Sequence, residues 1–181
     1  MQLEKYPLLS QLLHWLVAGL MLAAFGLGIT MTDLPMSPQK FSWYAYHKWI
    51  GITVLALVLF RLLNRLFKGA PASPTHMKTW EKGVAHLTHW ALYGLMFGVP
   101  LVGWLSTSAL GFPVVYLKLW KLPDLVGKDE MLGQNLQDLH GALAWTMLVL
   151  IGLHILAAFK HHFIDRDEVL GRMLPWSVKR S

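Results

Sequence analysis

Three observations predict an all-α membrane protein, a four-transmembrane-helix bundle with up-down-up-down topology. The 181 residues are 55% hydrophobic and only 14% charged, with mean hydropathy +0.43, whereas soluble domains carry about 25% charged residues. Apolar segments recur along the chain at lengths near the ~20 residues that cross a bilayer as a helix. Short polar or proline-bearing segments separate most of them, and short connections make neighbouring helices antiparallel.

The first helix is expected over residues 8–31, because no charge appears between Lys5 and Asp33. A cleaved signal peptide is the rival reading. The run is long for such a segment, no A-x-A site follows, and it contains His14. Pro35 and Pro38 mark a loop before the second helix, expected over 42–66. Lys48 interrupts that helix early, and its long stem can snorkel toward water. Trp43, Tyr44, Tyr46 and Trp49 around it read as an interfacial aromatic belt or as a cofactor lining. Arg61, Arg65 and Lys68 mark its far end.

Gly69 to Thr75 is a turn. A third helix is expected over 84–106, kinked at Pro100 and ended by Gly111-Phe112-Pro113. Val114 to Leu122 mixes apolar residues with lysines and suits the membrane interface. Pro123 to Gln137 reads as a polar loop. The fourth helix, expected over 138–162, contains a charge-free run from Leu139 to Phe159. The chain thus reads as one integral membrane domain over residues 1–181.

Charge placement sets the expected orientation. Four spans put both termini on one side, where eleven lysines and arginines fall, against five on the other. The positive-inside rule then predicts a multi-pass inner-membrane protein with both termini cytoplasmic. The net charge of +6 is explained by that arrangement without a nucleic-acid partner; the surrounding partner is membrane lipid.

There is no cysteine, which excludes disulfides, iron–sulfur clusters and covalent c-type haem within the chain. No GxGxxG, Walker A or GxSxG motif occurs, and no residue stands out as catalytic. Histidine is the only strong nitrogen ligand on offer, present nine times. His140 and His154 lie in the fourth helix, and imidazole in hydrocarbon is a functional signal. At ~100° per residue their separation falls roughly 40° short of four turns, so both lie near one face, about 21 Å apart along the axis. The expected orientation sorts the others by depth. Only His47 shares the outer level with His140. At the inner level His154 has three candidate partners: His14, His86 and His89. His14-Trp15 and His89-Trp90 are each followed by Gly-Leu-Met at the same offset, an echo that leaves both in play. A lone membrane histidine is most often a packing residue; two level-matched sets point to metal ligation. His161 and His162 read as basic interfacial residues and His76 as a loop residue.

The stretches HWLVAGLMLAAFGLG, HKWIGITVLALVLFRLLNRL, HLTHWALYGLMFGVPLVGW and LHGALAWTMLVLIGLHILAAFKHHFIDRDEVLGRML resemble the bacterial cytochrome b561 family. That family is itself similar to the cytochrome b subunits of nickel–iron hydrogenases. The resemblance covers almost the whole chain. It implies four transmembrane helices and two noncovalent haem b groups in the inner membrane. It implies His14 and His154 as ligands of a cytoplasmic-side haem, and His47 and His140 as ligands of a periplasmic-side haem. Iron with two axial imidazoles has no vacant position and suits electron transfer.

The leading functional expectation is electron transfer between a periplasmic donor, small molecule or protein, and ubiquinone or another quinone. The family includes an activity that oxidises superoxide at the periplasmic face and reduces ubiquinone. Arg61 and Lys48 are candidate counter-charges for haem propionates, with a purely topological role as the alternative. Lys40, Lys48, Lys118 and Lys121 can steer a small anion or dock a protein donor. Lys78, His86 and His161 are candidates for the quinone site. Two other readings stand beside this one: a membrane-anchor cytochrome b subunit of a larger dehydrogenase or hydrogenase, and a haem-free membrane packing or proton-relay protein.

Overall fold

Four long helices dominate the computed structural model, which describes residues 5–69, 71–72 and 77–175. They are α1 (Leu8–Asp33), α2 (Pro38–Lys68), α3 (Thr79–Ala109) and α4 (Glu130–Phe159). All four are long and apolar enough to cross a membrane. Their connections alternate direction, so the bundle runs up-down-up-down. One end, here the terminal end, carries Lys5, the α2–α3 connection and the segment after α4. The other, the hairpin end, carries the α1–α2 and α3–α4 connections. His76, Lys179 and Arg180 lie outside the described residues.

Three helices begin earlier than the apolar pattern suggests, because caps decide where a helix starts. Ser37 Oγ accepts from Lys40 N at 3.2 Å, and Pro38 occupies the first turn, where its missing N–H costs nothing. Lys78 N donates to Glu81 Oε2 at 3.0 Å at the start of α3. Asp129 Oδ1 accepts from Leu132 N at 3.0 Å, so α4 starts at Glu130, two turns before the expected 138. The polar loop expected through Gln137 therefore stops at Asp129. α3 runs unbroken past Pro100 and ends on Gly111, whose φ of +78° suits glycine, with Phe112 N donating to Thr107 O at 2.8 Å.

Val114 to Leu122 folds as a hairpin. β1 (Val115–Tyr116) pairs antiparallel with β2 (Trp120–Lys121), Val115 opposite Lys121 and Tyr116 opposite Trp120. Its turn takes Leu117 and Lys118 to φ of 50° and 61°. α2 anchors it: Trp49 Nε1 donates to Val115 O at 2.7 Å, and the Tyr116 and Thr53 hydroxyls are 2.9 Å apart. From α3, Trp104 Nε1 donates to Pro123 O at 3.2 Å.

The buried core joins Val17 and Met21 of α1, Val54 and Val58 of α2, and Leu92, Tyr93, Met96 and Val99 of α3. α4 adds only Met147 to it. α4 leans on α3 instead, and at the hairpin end a Cβ on Gly133 would lie 2.6 Å from the Leu110 side chain. Small residues at such crossings let membrane helices approach. Leu12, Leu16, Phe60, Leu87, Trp145, Val149 and Leu156 stay exposed on the outer surface, as a lipid-facing wall requires.

Beyond α4 a single π-helical turn, Lys160–Ile164, redirects the chain beneath the terminal end. Buried Arg172 donates twice to Ala72 O at 3.0 Å. Tyr6 N donates to Arg172 O, and Trp15 Nε1 to Met173 O. These bonds tie the C-terminal segment to α1 and to the α2–α3 connection.

Candidate functional site

Unbroken helix from Glu130 to Phe159 keeps His140 and His154 on one side of α4, about 21 Å apart along its axis at ~1.5 Å per residue. Each meets an imidazole from another helix. At the hairpin end the rings of His47 (α2) and His140 (α4) have centroids 6.0 Å apart. At the terminal end His14 (α1) and His154 (α4) have centroids 6.3 Å apart. Metal–imidazole bonds are about 2.0–2.1 Å, so two rings on opposite sides of one metal have centroids roughly 6 Å apart. Both pairs have that spacing.

The hairpin-end rings are oriented by backbone. His47 Nδ1 lies 2.9 Å from Ala24 O, and His140 Nδ1 lies 2.9 Å from Val99 O. A carbonyl only accepts, so each Nδ1 must donate, and each neutral ring keeps its Nε2 lone pair. Metal-bound histidines typically have their second nitrogen tied in this way.

The terminal-end pair has more company. His89 of α3 comes closer still to His154, at 5.4 Å between centroids. Of the three candidate partners of His154, His14 and His89 reach it; among the described residues no ring contact joins it to His86, which is exposed. Arg61 Nη1 donates to His14 Nδ1 at 2.9 Å, and its Nε donates to the Tyr93 hydroxyl at 3.2 Å. A guanidinium has no acceptor, so a neutral His14 here carries its proton on Nε2. Arg65 joins Arg61 at the Tyr93 ring, 5.7 and 5.9 Å from its centroid. Sequence patterning singled out neither Tyr93 nor the carbonyls of Ala24 and Val99. Their roles depend on which helix faces which.

The remaining predicted residues scatter. Lys48 is half-buried, with Nζ 3.5 Å from Phe112 O, ahead of the hairpin. Lys40 caps α1, donating to Leu34 O at 2.7 Å and Thr32 O at 3.2 Å. Lys121 pairs with Asp124 at 3.7 Å. Lys78 and His161 line one cavity of about 300 Å³ at the terminal end, with Met77, Glu81, Lys160 and Asp165; His86 does not. His161 Nδ1 donates to Asp167 Oδ2 at 2.7 Å, and Lys160 bridges Glu81 at 3.0 Å and Asp165 at 2.7 Å. The ligand-capable atoms of His161, Asp165 and Asp167 lie within 4.8 Å of one another, with the Lys160 ammonium already on Asp165.

Comparison with known proteins identifies the family. The sequence model of the prokaryotic cytochrome b561 family matches residues 5–176. The chain is 32% identical over 175 residues to cytochrome b561 homolog 2 of Escherichia coli K12, covering 94% of this chain and 92% of that one. It is 30% identical over 172 residues to the probable superoxide oxidase CybB of Yersinia pestis, covering 95% and 97%. Identity to cytochrome b561 homolog 1 of E. coli K12 is 28% over 129 residues, covering 71% and 73%. With its four apolar spans and imidazoles paired at two depths, this chain belongs to the prokaryotic cytochrome b561 family, haem b-binding membrane oxidoreductases that transfer electrons across the membrane.

Proposed function

We propose that this chain would hold two haem b groups, through His47 and His140 at the periplasmic side and through His14 and His154 at the cytoplasmic side. The observation that carries the reading is the matched spacing of the two pairs, 6.0 and 6.3 Å, at two levels of one helix. His14 is preferred over His89 as the partner of His154 because 6.3 Å resembles the first pair and 5.4 Å does not. Bound there, the haems supply one-electron redox centres at two depths.

The protein's own groups do the rest. Each pair of imidazoles would hold its haem through both rings and leave the iron no open position for oxygen, so that the group would supply electron transfer. For His14 to offer its Nε2, Arg61 must leave Nδ1. Its guanidinium is then free to pair with a propionate, which supports its role as a counter-charge. Lys48 offers a positive charge near the periplasmic pair. The excess of lysine and arginine at the terminal end supports cytoplasmic termini.

A superoxide donor is supported by the Yersinia pestis relative, whose name is probable superoxide oxidase. Two superoxide anions give two electrons and become two oxygen molecules; one quinone takes both electrons and two protons and becomes quinol. The cavity beside Lys78 and His161 is our choice for the quinone headgroup, and we assign His161, which is held by Asp167, to pass it a proton.

The test is to feed superoxide, generated enzymatically, to purified protein with a soluble ubiquinone analogue. Haem reduction and one quinol formed per two superoxide are expected. Haem that stays oxidised under superoxide, yet is reduced by a co-purifying subunit, would transfer the reading to a dehydrogenase anchor.

A further inference from the structure

In an α-helix each Cα–Cβ bond leans toward the N-terminus, so the side chain at i+4 lies over the turn that carries the carbonyl of residue i. A glycine at i+4 uncovers that oxygen. The chain uses this twice, on two different helices, beside the two imidazoles of the hairpin-end pair. On α1 the His47 Nδ1–H reaches Ala24 O at 2.9 Å, and a Cβ added to Gly28 would lie 3.3 Å from His47 Cε1. On α3 the His140 Nδ1–H reaches Val99 O at 2.9 Å, and a Cβ added to Gly103 would lie 2.9 Å from both Cε1 and Nδ1. In both cases the glycine stands four residues after the carbonyl. Abundance of glycine does not explain this. Gly19 and Gly26 on α1, and Gly94 and Gly98 on α3, have no atom within 4 Å of the same position.

We propose that Gly28 and Gly103 are positioning residues for the hairpin-end centre: each omits a Cβ so that one imidazole can reach one backbone carbonyl. The bond holds the proton on Nδ1 and leaves the Nε2 lone pair for the metal. It also makes the ring a stronger donor, which favours oxidised iron and lowers the potential of that centre. The terminal-end pair is built otherwise: none of the described glycines of the four helices would bring a Cβ against His14 or His154. The glycine device therefore acts on one of the two centres. The inference rests on the reading of His47 and His140 as axial ligands.

Alanine normally favours a helix over glycine, so any loss on substitution runs against propensity. Gly28→Ala asks the ring to give by a few tenths of an ångström; Gly103→Ala leaves no room for it. The experiment is a potentiometric titration, with low-temperature EPR of the ferric state, on purified haem-loaded variants. Gly94→Ala, on the same helix with open space around it, is expected to match the parent in both centres. Gly28→Ala is expected to keep both haems, raise the midpoint of the hairpin-end centre, shift its low-spin g values and leave the other centre unchanged. Gly103→Ala is expected to lose the hairpin-end signal, so that haem content falls from two per chain to one. If Gly103→Ala does not accumulate in membranes, Gly28→Ala alone decides. Parental potential and g values in Gly28→Ala overturn the proposal. His47→Ala and His140→Ala test the foundation separately: a low-spin hairpin-end signal surviving in either means that the residue is not a ligand, whatever the glycines do.

Discussion

Arg61 illustrates how one side chain serves two partners that the sequence does not join. It bonds His14 of α1 and Tyr93 of α3 from its place on α2. If it turns to a propionate when haem binds, its charge favours the reduced, less positive iron. A unit charge about 10 Å away at an effective dielectric of ~20 contributes on the order of 1–2 kcal/mol, which is tens of millivolts for one electron. Arg61→Gln is therefore expected to lower the midpoint of the terminal-end centre by that amount and to weaken its haem retention. Arg61→Lys should restore much of the potential and less of the retention, since an ammonium lacks the planar fork. Lys48 makes the matching case at the other end. Lys48→Gln is expected to lower the hairpin-end midpoint and leave the other nearly unchanged. It should also slow reaction with an anionic donor, more at low salt than at high salt, because exposed charges are screened beyond ~10 Å at 0.1 M. An unchanged potential and salt response would reduce Lys48 to an interfacial anchor.

At the scale of the element, α4 is the organising helix although it contributes least to the buried core. It brings one imidazole to each level and leans mainly on α3, while both partner imidazoles of the proposed pairs come from α1 and α2. Truncating a proposed ligand should therefore sort variants into two spectral classes. His47→Ala and His140→Ala are expected to remove the hairpin-end signal, His14→Ala and His154→Ala the terminal-end signal. His89→Ala, read by the same spectra, should keep both. Loss of the terminal-end signal in His89→Ala with retention in His14→Ala would reverse the choice between the two neighbours of His154.

The whole molecule is a membrane bundle with different ends, one closed by a hairpin and one by the returning C-terminal segment. Two level-matched pairs predict two haems per chain, and the absence of cysteine predicts that acid–acetone extracts both. Pigment that remains attached, or saturation at one haem per chain, would contradict this. The lack of native cysteine also permits clean labelling of single introduced cysteines. Lys118→Cys in the hairpin is expected to react with an impermeant reagent from the periplasm, and a cysteine at Arg166 only from the cytoplasm.

Composition, charge spacing and the fourteen-residue interval between His140 and His154 were enough to determine four spans and two levels of imidazole, because helix period and bilayer thickness are fixed by physics rather than by neighbours. Elimination by depth paired His47 with His140, and the two rings do meet. The same logic stalled at the terminal end. Depth along a helix carries no information about azimuth, and both His14 and His89 turned out to touch His154. Three helices start earlier than their apolar runs for a related reason: hydropathy marks where lipid contact ends, whereas Ser37, Glu81 and Asp129 decide where the backbone bonds begin. The hairpin, the reach of Arg61 to His14, and the carbonyls of Ala24 and Val99 uncovered beside Gly28 and Gly103 belong to the tertiary structure alone. Each is a contact between helices, set by rotation and separation that a linear pattern does not encode.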